Sequence, residues 1–253
     1  MPARKPIMNT IGIIPARFGS TRFPGKPLVD IEGKSMIQRV YEQCSLSKKL
    51  TLVVIATDDD RIFNHVQEFG GTAVMTSPQH QSGTDRCAEI IRTEDGAKWD
   101  VVINIQGDEP FIHPEQIDLL CSCFEDPATQ IATLIKKIIS NDELFNHNNP
   151  KVVINTQGEA MYFSRAPIPY NRNFPDQDWI KYSTYYKHIG IYGYRSDVLL
   201  DIAKLPKSNL EIAESLEQLR WIENGYRIKT EITSQESIAI DTPDDLLKIK
   251  SSS

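Results

Sequence analysis

The sequence has 253 residues, of which 40% are hydrophobic and 25% charged, and a formal net charge of −6. This composition is ordinary for a globular protein, and the negative charge argues against a nucleic-acid-binding protein, which would usually be basic. No apolar run approaches the roughly 20 residues needed to cross a bilayer. Residues 1–9 contain Arg4 and Lys5 but no apolar core, which is typical of a flexible tail and not of a signal peptide. We therefore expect a cytoplasmic protein.

The first predicted element is a buried strand that ends in a basic loop. Thr10–Ile14 is a short β-branched run without helical spacing, and Pro15 ends it because proline cannot donate to a β ladder. The residues that follow combine glycine and proline with three cations, Arg17, Arg22 and Lys26. Such a loop suits a polyphosphate. The alternative is a solvated basic turn, but a loop after the first strand of an α/β chain lies at the carboxyl edge of the sheet, where ligands bind.

Strands and helices alternate after this loop. Further strands are predicted at Leu52–Ala56, Thr72–Met75, Asp100–Ile105 and Ile131–Ile138. Four helices are predicted from residues that favour a helix start and are followed by helical spacing. Their starts are the N-cap Ser35, the acidic segment from Thr57, the N-cap Thr84 and the first-turn proline Pro114. The alternation predicts an α/β fold with a mostly parallel central sheet and helices on both faces.

An acidic turn, Gln106-Gly-Asp-Glu-Pro, directly follows the strand at Asp100–Ile105. A carboxylate at the carboxyl end of a strand can hold a hard divalent cation. The alternative is that Asp108 and Glu109 only shape the turn. The position favours Asp108 as a metal ligand and leaves Glu109 undecided.

The second half of the chain has a different character. Lys151–Ile154 and Glu159–Phe163 are predicted to form a hairpin, which is followed by a stretch rich in proline and asparagine. This region, at about 150–195, is interpreted as a smaller β-rich lobe inserted into a single α/β domain that spans residues 10–253. A helix over Ser208–Asn224, with Ile212 and Leu216 on its apolar face, and a strand at Tyr226–Thr233 follow.

Several of these segments together resemble the sugar-activating cytidylyltransferases. They are Ile14–Leu28, Gln81–Arg86, Gln106–Pro110, Ser164–Pro169, Lys187–Tyr194, Leu216–Arg220 and Ile238–Leu246, and they occur in the family's order over nearly the whole chain. The resemblance implies a nucleotide-diphospho-sugar transferase-like fold. It also implies a nucleotide-binding half at 10–140, a sugar-binding and dimerisation lobe at about 150–195, and a homodimer.

The resemblance further implies a reaction and a set of site residues. The substrates would be CTP and the sugar acid 3-deoxy-manno-octulosonate (Kdo), the cofactor Mg²⁺, and the products CMP-Kdo for bacterial lipopolysaccharide biosynthesis and pyrophosphate. The residues implied for CTP are Pro15, Ala16, Arg17, Gly19, Ser20, Lys26, Ser82, Gly83 and Arg86. Those implied for the sugar are Gln106, Arg165, His188, Tyr192, Glu217 and Gln218. Asp108 and Asp241 would bind the metal and, with Arg17 and Lys26, form the catalytic set.

Two alternatives to this function stay open. One is a cytidylyltransferase for 8-amino-Kdo or sialic acid, which would share the fold and the metal site. The other is a non-catalytic nucleotide-sensing module, against which Lys26 and the two aspartates argue, since binding alone needs none of them. His188, a lone histidine on a strand, is open to a purely structural reading.

Overall fold

The computed structural model describes residues 8–19, 23–93, 98–236, 239–240, 242 and 244–246. Within these residues the strands are β1 (Thr10–Ala16), β2 (Asp30–Ile31), β3 (Lys34–Ser35), β4 (Leu52–Thr57), β5 (Ala73–Met75), β6 (Val101–Asn104), β7 (Ile131–Lys137), β8 (Lys151–Ile154), β9 (Ala160–Ser164), β10 (Tyr186–Arg195) and β11 (Ile228–Ile232). The α-helices are α1 (Met36–Ser45), α2 (Asp60–Glu68), α3 (Gly83–Arg92), α4 (Pro114–Ser122), α5 (Asn141–Phe145), α6 (Trp179–Tyr182), α7 (Ser196–Ile202), α8 (Asn209–Glu214) and α9 (Gln218–Glu223).

One large sheet organises the chain, and within the described residues its strand order is β11-β7-β10-β6-β1-β4-β5. The pairs β1–β4, β1–β6, β4–β5 and β7–β11 are parallel, whereas β10 is antiparallel to both β6 and β7. Six of these seven strands therefore run in one direction. The predicted fold class, a mostly parallel sheet with helices on both faces, is confirmed.

Alternating residues of β1 bury the two faces of this sheet. Ile11 and Ile13 pack in a cluster with residues of α3 and α7, while Ile14 and Ala16 pack with residues of α1, α2 and α4. Successive side chains of a strand point to opposite faces, so β1 is covered on both sides. Its carboxyl end leads directly into the basic loop.

The predicted hairpin is present as β8 and β9, which pair antiparallel from Lys151↔Ser164 onward. It joins the large sheet through β10, which pairs with β8 at Tyr186↔Val152 and Lys187↔Lys151. The strand that contains Lys187–Tyr194 therefore pairs with β7 of the central sheet at both of its ends and, at its start, also with the hairpin.

Two helix predictions need correction. The single helix expected over Ser208–Asn224 is broken into α8 and α9, because Ser215 adopts a left-handed conformation with φ 52°. The break buries Leu216 and leaves Ile212 65% exposed, although both were expected on one apolar face. The N-cap of α3 is Ser82 and not Thr84: the Ser82 hydroxyl accepts the Asp85 N–H, and the Asp85 carboxylate accepts the Ser82 N–H.

The other caps agree more closely with expectation. Ser35 caps α1 by accepting the Gln38 N–H, and the acidic segment after β4 supplies Asp59 as the cap of α2. No helix in the described part of the chain has the length and apolar run needed to cross a membrane.

Candidate functional site

A cavity of about 270 Å³ lies at the carboxyl edge of the sheet, where β1 and β6 end. It is lined by three segments: the end of β1 with the basic loop, the connection from β5 into α3, and the turn after β6. Nine residues of the predicted site line it: Pro15, Ala16, Arg17, Lys26, Ser82, Gly83, Arg86, Gln106 and Asp108. Four further residues contribute that sequence reasoning did not assign: Pro27, His80, Gln81 and Gly107.

The basic loop returns to the cavity through a sharp turn at Gly25. Gly25 has φ 71°, a left-handed conformation that suits glycine, and its N–H donates to the Phe18 carbonyl at 3.0 Å. A 3-10 turn over Lys26–Leu28 follows directly. This geometry brings Lys26 Nζ to 2.7 Å from the Asp108 carboxylate, while Arg17 at the start of the loop is exposed. A buried lysine and an exposed arginine therefore border the same cavity.

The turn that carries Asp108 is packed tightly against β1. A Cβ at Gly107 would lie 2.9 Å from the Pro15 carbonyl oxygen, so a side chain there would require the turn to shift. The Asp108 carbonyl accepts the N–H of Ile240 at 3.0 Å, and Ile240 is fully buried beside Ile31. The turn is thus fixed by β1 on one side and by the C-terminal segment on the other.

Two predicted site residues, Ser20 and Asp241, lie outside the described residues. Within the described ones, no group of three or more His, Cys, Asp or Glu side chains is arranged to hold a metal ion. Gly19 is described and exposed in the basic loop.

The start of α3 forms the opposite wall of the cavity. Arg86 is 4% exposed, and its guanidinium contacts the Thr76 hydroxyl and lies 3.3 Å from the Asp58 carboxylate. Gly83 packs against the Pro15 ring: a Cβ built at Gly83 would lie 3.2 Å from the nearest ring atom. The positive charge of Arg86 is therefore already paired at this wall.

His80 reaches the cavity from the loop that precedes α3. Its Nε2 lies 2.5 Å from the Glu89 carboxylate, which also accepts the Ser77 N–H at 2.9 Å. Burial acts to raise the pKa of Glu89, but the Ser77 N–H and the His80 ring outweigh it, and the pKa is lowered. His80 lies in the loop before α3 and Glu89 lies within α3. Helical spacing in the sequence therefore could not predict their contact.

The residues predicted to bind the sugar form a second group. Of the six, Gln106 is the member that lines the cavity within the described part of the chain, and its amide donates to the Gly190 carbonyl at 3.0 Å. Gly190 belongs to an irregularity in β10, where the register with β7 shifts between Ile189 and Tyr192. The bulge turns a backbone carbonyl toward the turn after β6.

His188 lies next to this bulge and is held by Thr133. The Thr133 hydroxyl donates to the Ile191 carbonyl at 2.7 Å and lies 3.0 Å from His188 Nε2, so the ring nitrogen is the donor in that contact. Burial lowers the pKa of His188 to about 3. The imidazole is therefore neutral at physiological pH.

Tyr192, Glu217 and Gln218 lie behind the start of α3. Tyr192 and Gln218 are buried, and the Glu217 carboxylate accepts the Thr84 hydroxyl at 2.9 Å. Burial raises the pKa of Glu217. Glu217 thus connects the start of α9 to α3, whose first residues line the cavity.

Arg165 is engaged by backbone groups. Its Nε donates to the Glu214 carbonyl at 2.8 Å, and its two terminal nitrogens donate to the carbonyls of His147 and Ser215. The Arg165 N–H and the Ser164 hydroxyl also donate to the Glu214 carboxylate. In this structure the guanidinium joins the hairpin to the end of α8; its pairing with a substrate carboxylate stays a prediction.

The chain is similar to known cytidylyltransferases. A family model described as Cytidylyltransferase matches residues 11–232. A curated relative from Parabacteroides distasonis, 3-deoxy-manno-octulosonate cytidylyltransferase, is 60% identical over 96% of this chain and 97% of its own, and the protein of that name from Phocaeicola vulgatus is 57% identical over 95% and 96%.

Solved structures agree with these relatives. The structure of CMP:2-keto-3-deoxy-manno-octonic acid synthetase complexed with CTP has a TM-score of 0.88 and 45% identity, and the match covers 96% of this chain and 97% of that one. A 4-diphosphocytidyl-2C-methyl-D-erythritol synthase from Anaerococcus prevotii has a TM-score of 0.63 at 12% identity over 97% of this chain and 98% of that one, which supports the fold alone.

Proposed function

The chain belongs to the cytidylyltransferase family, and from this premise we propose that it transfers CMP from CTP to the sugar acid Kdo. The anomeric hydroxyl of Kdo attacks the α-phosphorus of CTP and loses its proton, a new O–P bond forms, and the bond to the β-phosphate breaks to release pyrophosphate. The observation that carries the proposal is the cavity at the carboxyl edge, which unites the basic loop, the start of α3 and the turn with Asp108. The product would serve bacterial lipopolysaccharide biosynthesis.

The charges around the cavity give CTP an orientation. Arg17 and Lys26 border the cavity at the basic loop and would bind the β- and γ-phosphates. Lys26 Nζ lies close to Asp108 and would move its charge toward the departing pyrophosphate when the nucleotide is bound. No covalent intermediate is required, because positioning and charge neutralisation account for most catalysis in such transfers.

Mg²⁺ is the proposed cofactor, and Asp108 fits it. The Asp108 side chain is 30% exposed on a turn at the cavity, and Mg²⁺ is usually held by one or two carboxylates together with substrate phosphates. Asp241 is the second proposed ligand; its neighbour Ile240 is hydrogen-bonded to the Asp108 carbonyl. When bound, Mg²⁺ would polarise the phosphate oxygens and neutralise their charge.

The sugar is proposed to bind beside the β10 bulge, where Gln106 contacts Gly190. This assigns residues 10–140 to the nucleotide and about 150–195 to the sugar, as the resemblance implies. Neutral His188 would offer a hydrogen bond without charge, so the carboxylate of the sugar acid requires another partner. Arg165 is the candidate for that role, provided that it exchanges a backbone carbonyl for the substrate.

The test is pyrophosphate release from CTP with Kdo, 8-amino-Kdo, sialic acid or no sugar acid, each with Mg²⁺ and with a chelator. We expect release with Kdo that requires the metal. Release with another sugar acid in preference to Kdo would correct the substrate. CTP binding without release for any sugar acid would favour the nucleotide-sensing alternative.

We further propose that the protein is a homodimer that acts in the cytoplasm. The lobe carries exposed aromatic side chains, Tyr170 at 74% and Tyr182 at 59%, and Phe174 stacks on Tyr182 with ring centroids 3.6 Å apart. Two-fold dimers are the commonest oligomers, and grouped exposed aromatic side chains are typical of protein–protein contact surfaces. A monomeric mass by light scattering at micromolar concentration would refute the dimer.

A further inference from the structure

His80 lines the cavity, yet neither the resemblance nor the proposed reaction gives it a role. Its side chain is 16% exposed, and its position follows from the loop that Glu89 holds through both the Ser77 N–H and the His80 ring. The half-buried Glu89 carboxylate contacts both the loop backbone and the ring within that loop, and so restrains the orientation of the imidazole. The question is which part of CTP lies beside it.

The cavity has two ends on opposite faces of the sheet. Gly107 at the Asp108 turn lies near Ile37 of α1, so the Lys26–Asp108 end is on the α1 face. His80 and Arg86 belong to the segment that enters α3, which packs on the other face. The two ends are therefore separated by the edge of the sheet.

Charge decides which end receives the triphosphate. At the loop end the two cations Arg17 and Lys26 stand against one carboxylate, that of Asp108, so the net charge there is positive. At the α3 end the Arg86 guanidinium is paired with Asp58, and further carboxylates stand at Asp85 and Glu89. An anion of high charge is favoured at the first end, which leaves the α3 end for the base.

The hydrogen bond to Glu89 determines the tautomer of His80. Glu89 is ionised at neutral pH and can only accept hydrogen bonds, so His80 Nε2 must carry the proton. In the neutral ring, Nδ1 then has a lone pair and is an acceptor. The 4-amino group of cytosine is a donor, whereas the 4-oxo group of uracil is an acceptor.

We propose that His80 is a specificity-determining residue that accepts a hydrogen bond from the 4-amino group of cytosine through Nδ1 and so discriminates CTP from UTP. Glu89 is the positioning residue that keeps the accepting nitrogen available. The inference rests on the proposed function in taking CTP as the nucleotide. A site with a buried group that requires a partner discriminates strongly against an analogue that cannot supply it.

The experiment compares kcat/KM for CTP and UTP at saturating Kdo in the wild type and four variants. His80→Leu removes the acceptor at similar size, and His80→Asn keeps an amide oxygen near the position of Nδ1. Glu89→Gln permits the amide to donate to Nε2. The other tautomer, in which Nδ1 carries the proton and cannot accept, then becomes accessible. Gln79→Leu is the matched control, since Gln79 is exposed on the same loop.

We expect His80→Leu to lower the CTP/UTP ratio about tenfold or more, mainly through the KM for CTP, with kcat for CTP largely retained. His80→Asn should stay within about threefold of the wild type, Glu89→Gln should fall between the two, and Gln79→Leu should match the wild type. Urea unfolding of each variant separates these effects from loss of folding. If His80 had only a structural role, His80→Leu and His80→Asn would not differ in their CTP/UTP ratio of kcat/KM.

Equal ratios in His80→Leu and the wild type, or an equal loss of both nucleotides in His80→Leu and His80→Asn, would overturn the proposal. If the wild type released no pyrophosphate with any sugar acid, the proposed reaction would fail, and this inference would be tested separately. Calorimetric dissociation constants of CTP and UTP for the same variants would then carry the comparison. Equal CTP/UTP binding ratios in His80→Leu and the wild type would refute the role of His80 by that route as well.

Discussion

Replacement of Gly107 by alanine tests whether the Asp108 turn must lie where it does. A Cβ at this position would be 2.9 Å from the Pro15 carbonyl oxygen and 3.6 Å from side-chain atoms of Ile14 and Ile37. The oxygen belongs to the backbone of the central strand β1 and cannot rotate away. The turn itself must therefore move.

The size of the effect follows from this contact. Relief to an ordinary van der Waals distance requires a shift of about 0.5 Å, which is the tolerance of a typical catalytic constellation. Asp108 follows Gly107 directly, so its 2.7 Å contact with Lys26 would be disturbed by a comparable amount. We expect kcat to fall about 10- to 100-fold and the free energy of unfolding to fall by about 1–3 kcal/mol.

The assay is pyrophosphate release at saturating CTP, Kdo and Mg²⁺, with urea unfolding in parallel. Gly71→Ala is the matched control, because its Cβ would also be too close to its neighbours, 2.6 Å from Phe69 and 2.9 Å from Val66, but Gly71 does not line the cavity. Its kcat should stay within about twofold of the wild type. A Gly107→Ala enzyme with wild-type kcat and stability would refute the argument that this close approach fixes the site.

Three further outcomes are expected. Lys26→Met should raise the activation free energy by about 3 kcal/mol, which lowers kcat roughly 150-fold at saturating CTP. A change confined to the KM for CTP would make Lys26 a binding residue only. His188 has a folded pKa of about 3 and an ordinary unfolded one, so the unfolded state binds more protons between them and stability is lost as pH falls through this window. The loss between pH 8 and pH 5 should be about 2 kcal/mol in urea unfolding and absent from His188→Asn. Arg220 pairs with Glu211 through two buried hydrogen bonds of 2.6 and 2.7 Å; Arg220→Met should destabilise by about 3–5 kcal/mol, and unfolding of the Arg220→Met/Glu211→Leu double variant should recover much of it.

The sequence predicted most of the sheet because local signals and tertiary structure agree there. The run at Thr10–Ile14 is buried on both faces of a strand, and the Ser35 cap precedes a helix whose residues Met36, Ile37, Val40 and Cys44 are all buried. The basic loop and the Asp108 turn could be placed at one site because loops after parallel strands meet at one edge of a sheet, whereas Ser82, Gly83, Arg86 and Gln106 were assigned through the family resemblance. These inferences needed no knowledge of long-range partners.

Other features depend on contacts that no local pattern encodes. Ser215 has an ordinary sequence context, and its left-handed conformation divides a helix that spacing alone would continue. Arg165 matches a family motif, but its partners are backbone carbonyls about 18, 49 and 50 residues away along the chain. The insertion of β10 between β6 and β7 likewise follows from pairing partners distant in sequence.

Strand β10 makes the two halves of the molecule mechanically dependent. One end pairs with the hairpin at Lys187, the middle supplies the Gly190 carbonyl that Gln106 binds, and the far end lies between β6 and β7. β10 is paired on both edges at Tyr186 and Lys187 and again at Tyr192–Tyr194, but the ladder is interrupted between Ile189 and Tyr192. A movement of the lobe relative to the central sheet would therefore bend β10 most easily at this bulge, beside the Gly190 carbonyl that the Gln106 amide binds.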